Sequence, residues 1–176
     1  MFRPQDGDHV AVTDIGAYER FFTDTFTVAC GASGVYTTTD GRLTLEWGSG
    51  QCTTCTITMT YTALGSLTGG TGDLASGNLA FRLEAVDCHG DPVVMPTPLL
   101  ALTLHYDDLL PTGMEEESIQ LYRWDAPWVR WMTMTTLDRD TTPHTLTIRL
   151  DHLSDFALLG PGGGGNTIYL PLVLRQ

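Results

Sequence analysis

Four cysteines and five histidines carry the widest chemical repertoire in this 176-residue chain. Cys30, Cys52, Cys55 and Cys88 include one C-x-x-C, Cys52-Thr53-Thr54-Cys55. A four-cysteine zinc site normally brings two such knuckles, and a redox C-x-x-C belongs at the start of a helix. Here a single knuckle lies in Thr-rich, strand-like sequence, so disulfides are the expected use of these thiols. Three connectivities are open, and spacing does not choose among them. His9, His89, His105 and His144 are scattered, with no H-x-x-x-H pair of the metalloprotease kind, and read as turn or surface residues. Asp107-Asp108, with Glu115-Glu116-Glu117 nearby, could gather oxygens around Ca²⁺ or form a solvated acidic loop; no EF-hand loop frames them. No other metal or cofactor is expected. Gly162–Gly165 lacks a following Lys and precedes strand-like sequence, so it reads as linker rather than phosphate cradle. Trp47, Trp124, Trp128 and Trp131 could form a carbohydrate platform. Alternation instead places Trp47 on the core face and lets Trp124 and Trp128 meet across a hairpin.

The most informative stretch is Asp151-His152-Leu153-Ser154-Asp155-Phe156-Ala157-Leu158-Leu159-Gly160. His-Leu-Ser followed by x-Phe-Ala-Leu-Leu resembles the proteolysis site that ends the autoproteolysis-inducing domain of adhesion receptors. It is also similar to the His-Phe-Ser strand of self-cleaving sandwich domains of the ankyrin and netrin-receptor family. That resemblance implies a break between Leu153 and Ser154. Ser154 would be the nucleophile, Leu153 would supply the attacked carbonyl, and His152 would be the base that takes the hydroxyl proton. The amide would become an ester, which water hydrolyses, leaving residues 1–153 and 154–176. The other reading of the same tripeptide is architectural, with Phe156–Leu159 as a last core strand. Over about 60 residues, Leu104–Asp108, Leu121–Asp125, Trp128-Val129 and the tripeptide strand together resemble the C-terminal half of a sandwich module of large bacterial surface proteins. Retention of the tripeptide for packing is the expected case there.

These groups sit in an acidic chain. Nine Arg and no Lys face 21 Asp+Glu, a net charge of -12, which excludes the basic face a nucleic-acid binder needs. It also disfavours binding to an anionic membrane. Charged residues are 17% of the chain, Thr occurs 27 times and Gly 19 times, while 42% hydrophobic content allows a core; the class is an acidic β protein. No apolar run reaches membrane-spanning length, and Met1–Asp8 has no apolar export segment. Cysteine and Thr usage nevertheless points to an exported or cell-surface protein, and either a fragment of a longer chain or a sequence lacking its start would account for the missing export segment.

Period-two alternation runs through 42–47, 56–61, 79–84, 100–106 and 145–150, with punctuation at Asp40-Gly41, Gly69-Gly70, Asp91-Pro92 and Pro111-Thr112-Gly113. Residues 119–124 and 128–132 read as a hairpin around Asp125-Ala126-Pro127; Asp138-Arg139-Asp140 reads as a turn, and 113–120 as the one helical turn. Seven to nine short strands predict an all-β, antiparallel β-sandwich over residues 20–160. Residues 1–19 form an N-terminal extension in which Asp14-Ile15-Gly16-Ala17-Tyr18-Glu19 resembles the closing segment of right-handed parallel β-helix surface proteins. Residues 161–166 are a Gly-rich linker, and 167–176 a C-terminal strand with the apolar residues Ile168, Tyr169, Leu170, Leu172, Val173 and Leu174. Such a strand must join a sheet edge, in its own domain or in a neighbour. The leading expectation is a non-enzymatic structural or assembly module; self-cleavage and carbohydrate binding are the alternatives. The expected partners are a second copy or the rest of a larger surface protein.

Overall fold

A computed structural model describes residues 22–49, 55–94, 100–106, 110 and 113–161. Among the described residues, eleven strands form two antiparallel sheets. In chain order they are β1 (Thr23–Val28), β2 (Gly34–Thr37), β3 (Leu43–Trp47), β4 (Ile57–Ala63), β5 (Leu74–Val86), β6 (Leu100–His105), β7 (Gln120–Asp125), β8 (Arg130–Thr133), β9 (Thr136–Asp140), β10 (Thr145–Leu150) and β11 (Asp155–Pro161). One sheet has the order β1-β4-β5-β11-β7-β8 and the other β2-β3-β6-β10-β9. The all-β sandwich is therefore present, with more strands than the seven to nine expected. The strands beyond those named from the sequence are β1, β2 and β9, each of which lies at an edge of its sheet.

Successive side chains point to opposite faces, and the burial follows. Leu43 and Leu45, Ile57, Met59 and Tyr61, Phe81 and Leu83, Leu100, Leu102 and Leu104, and Leu146, Ile148 and Leu150 all turn inward. Between them, Thr23, Thr25 and Thr27 of β1 pair with Thr62, Thr60 and Thr58 of β4 on the outer face, where β-branched hydroxyl side chains suit a wet pleat. Tyr61, buried in the core, donates its hydroxyl to Asp40 Oδ2 at 3.0 Å, so its polar end is satisfied.

β11 follows the other ten described strands in the chain yet lies inside the sheet, bonded to β5 on one side and β7 on the other. Its residues Phe156–Leu159 are buried on both faces, matching the unbroken apolar run in the sequence. The strand continues through Gly160 and Pro161, opposite Ala75 and Leu74, so Pro161 is sheet rather than the first residue of the linker. Against Leu158, β5 bulges at Gly77-Asn78: a Cβ on Gly77 would crowd Leu158, and Asn78 takes φ +57°, which Asn tolerates.

Two local expectations are corrected. Asp138-Arg139-Asp140 is not a turn but the end of β9, where alternating charges mark a sheet edge. Trp124 meets Trp131 across the hairpin, ring centroids 5.4 Å apart, rather than Trp128. The turn occupies residues 126–129, one residue more than composition suggested, because Val129 closes it at φ +52°. A β-branched residue in the left-handed region costs about 1–2 kcal/mol. Val129 is 71% exposed and loses little burial on substitution. Val129→Asn is therefore expected to raise the thermal midpoint by about 2–4 °C in a domain of this size, read by calorimetry; a lower midpoint would mean that the valine side chain has a stabilising contact.

Residues 113–120 contain a single 3-10 turn, Glu116–Ser118. A polar clamp holds it: Tyr106 donates to Glu116 Oε1 at 2.8 Å, His144 Nδ1 lies 2.9 Å from the same oxygen, and Arg139 donates to the carbonyl oxygens of Glu116 and Ile119. Burial, then the Glu116 bond, pushes the Tyr106 phenol up to about 12. The hydrogen bond from His144 holds the Glu116 carboxyl below its ordinary range.

Candidate functional site

The His-Leu-Ser segment sits where the chain leaves β10 and enters β11. Leu153 is buried, and its N–H donates to the Val94 carbonyl at 2.8 Å. Ser154 is half-buried; its carbonyl accepts from Leu83 N–H at 3.0 Å, and its hydroxyl donates to the carbonyl oxygen of Trp124 on β7 at 2.7 Å. His152 is also half-buried. Burial first, then the Arg123 guanidinium, pulls its imidazole below the ordinary value, so it is neutral at pH 7. No hydrogen bond joins His152 to Ser154, so the three residues are neighbours in sequence without forming a base–nucleophile pair.

The next residue dominates the local electrostatics, and its type gave no such signal in the sequence. Asp155 is 6% exposed on the outer face of β11, between Trp124 and Arg82 of the flanking strands. Arg82 donates to it through Nε at 2.5 Å and Nη2 at 3.0 Å, and the Thr68 hydroxyl donates to the second oxygen. Burial pushes the Asp155 carboxyl up, but the bonds from Arg82 and Thr68 and the guanidinium charge outweigh it and leave it below the usual carboxylate range. Thr68 comes from the loop after β4. Gly69 follows at φ +69°, and a Cβ there would run into the Trp124 ring, so only glycine lets the loop close over the indole.

Beside this closed corner lies an open groove of about 520 Å³ on the outer face of the sheet. Thr58 and Thr60 of β4 and Glu84 and Val86 of β5 line it, with Pro92, Val94, Trp124 and Ser154 among the other lining residues. A disulfide lies just beyond these strands: Cys55, before β4, bonds Cys88, after β5, with Cα atoms 5.8 Å apart. Antiparallel pairing of β4 with β5 brings those two positions to the same end of the sheet. Asp87 Oδ1 accepts from the N–H groups of His89 and Asp91, tightening the turn that carries Cys88. Cys30 is also disulfide-bonded, and its sulfur contacts the Cys55 carbonyl. His89 has a ring nitrogen within 4.8 Å of both Cys55 and Cys88 sulfurs, but the disulfide occupies those sulfurs.

Of the other residues singled out in the sequence, Glu116 belongs to the 3-10 clamp. Trp47 is partly buried against the core, and Trp128 stands 71% exposed at a turn. Cys52, Asp107-Asp108, residues 1–19 and the C-terminal residues Ile168, Tyr169, Leu170, Leu172, Val173 and Leu174 lie outside the described residues. No helix among the described residues is long and apolar enough to cross a membrane. Compared with known proteins, the chain matches no family model and no curated sequence.

Proposed function

We propose that this chain is a non-enzymatic, extracellular β-sandwich module of a bacterial surface protein, one that contributes structure and assembly rather than turnover. The observation that carries the reading is the Ser154 hydroxyl. The proton that a base would have to remove is given to the Trp124 carbonyl on a neighbouring strand, 2.7 Å away, and His152 makes no bond to it. Ser154 thus ties β11 to β7, and Asp155 ties β11 to β5 and to the loop above. The tripeptide strand is used as the central seam of the sheet. The Cys55–Cys88 disulfide fits an oxidising, exported setting. Assembly would use the apolar segment 167–176, given to a sheet edge of a neighbouring copy.

Intact-mass spectrometry of the denatured chain tests the reading. A single uncleaved mass is expected, and Ser154→Ala should only lower stability by about 1 kcal/mol, the worth of one hydrogen bond. Fragments 1–153 and 154–176 that vanish in Ser154→Ala would overturn it in favour of self-cleavage. Size-exclusion chromatography with and without residues 161–176 tests the assembly step, and the same monomer in both would remove strand donation.

A further inference from the structure

Large hydrophobic side chains are exposed at only six places among the described residues, and four of them gather at one end of the six-stranded sheet. Trp128 and Val129, each 71% exposed, form the tip of the β7–β8 hairpin, while Val86 (39%) and Val94 (52%) line the groove. The tip is a built finger rather than a loose loop. Asp125 Oδ1 accepts from Trp128 N–H at 3.4 Å, Val129 N–H bonds the Ala126 carbonyl at 3.3 Å, and the Arg130 guanidinium lies 5.7 Å from the Trp128 ring centroid. Val129 holds a backbone conformation that glycine or asparagine would adopt with less strain, and it presents its apolar side chain to solvent. Strain kept at an exposed apolar tip is the mark of a contact surface.

The finger and the groove are complementary in chemistry. The finger offers an indole and a guanidinium. The groove offers the apolar side chains of Val86, Pro92 and Val94 and the carboxylate of Glu84, which has no ion-pair partner among the described residues. Arg82, the one cation among the lining residues of the groove, is already paired with Asp155. We infer that the partner of this surface is a second copy of the chain: the finger of one copy seats in the groove of the other, Trp128 against Val86 and Val94, and Arg130 on Glu84. Trp124 lines the groove and lies on β7 just before the finger, so both halves of the contact share one end of the molecule. The exchange is therefore reciprocal, a closed two-fold pair. This inference rests on the assembly reading but uses residues other than 167–176.

Sedimentation velocity of the full chain over a wide concentration range tests it, with thermal melts to confirm that each variant folds. The wild type is expected to dimerise. Trp128→Ala, Arg130→Glu and Glu84→Arg should each weaken the dimer about tenfold or more, and the charge swap Arg130→Glu with Glu84→Arg should restore part of the loss. A wild type that stays monomeric throughout overturns the inference. Association that every variant keeps unchanged also overturns it, and leaves the C-terminal segment as the assembly element. Fragments 1–153 and 154–176 in the mass spectrum would overturn the non-enzymatic reading without touching this result.

Discussion

Phe156→Ala will lower the stability of the sandwich by about 3–5 kcal/mol, the range for removing a large aromatic from a packed core. Phe156 is fully buried on β11, the strand held between β5 and β7, and its ring stacks on Phe81 with centroids 5.2 Å apart and planes 17° from parallel. Phe81 in turn packs against Tyr61 at 5.8 Å. The row therefore runs across three adjacent strands, and a void at its end cannot close without moving the sheet. Urea denaturation reads the effect as a lower midpoint with an unchanged slope. Phe156→Leu should cost less because it keeps much of the volume. A loss below about 1 kcal/mol for the alanine variant would contradict the packing described.

The second large effect belongs to Asp155. Asp155→Asn should cost about 2 kcal/mol at neutral pH, less than for a fully buried ion pair because the Arg82 side chain is 44% exposed and water screens part of its charge. The pH dependence follows from the direction of the shift. The folded-state carboxyl lies below its ordinary range, burial raising it and the Arg82 and Thr68 bonds lowering it further. Its contribution is complete above the unfolded value, near about pH 4, and disappears as pH falls through the lower folded value. Wild-type stability should therefore fall on acidification across that window, and Asp155→Asn should flatten this part of the profile. Denaturation curves at a series of pH values measure both. Parallel profiles for the two proteins would mean that the Arg82–Asp155 pair adds nothing to folding.

The alternating segments were legible because a strand's two faces are written into neighbouring residues. Leu43 and Leu45, or Ile57, Met59 and Tyr61, declare their inward face within a handful of positions, and the structure keeps all of them inside. Two of the short edge strands, β2 and β9, were not legible. β9 carries Asp138, Arg139 and Asp140, the composition of a turn, and becomes a strand because β10 offers a partner and because Arg139 reaches the Glu116 and Ile119 carbonyls. Trp128 looked like a strand residue until Val129 took a left-handed conformation that its own side chain disfavours.

The candidate site divides in the same way. Composition and residue order set the class: acidic, Thr-rich, all-β, with thiols suited to disulfides and a His-Leu-Ser strand whose order of residues admits chemistry. The tertiary structure alone decided what those residues touch. It paired Cys55 with Cys88 out of three open connectivities, turned the Ser154 hydroxyl to Trp124, and set Asp155 between Arg82 and Thr68, 73 and 87 residues away in the chain. Periodicity is a local property, set by each residue's own solvation and backbone preference. Partner choice between strands depends on how the whole set of apolar faces closes on itself, and no segment of this chain carries that information alone.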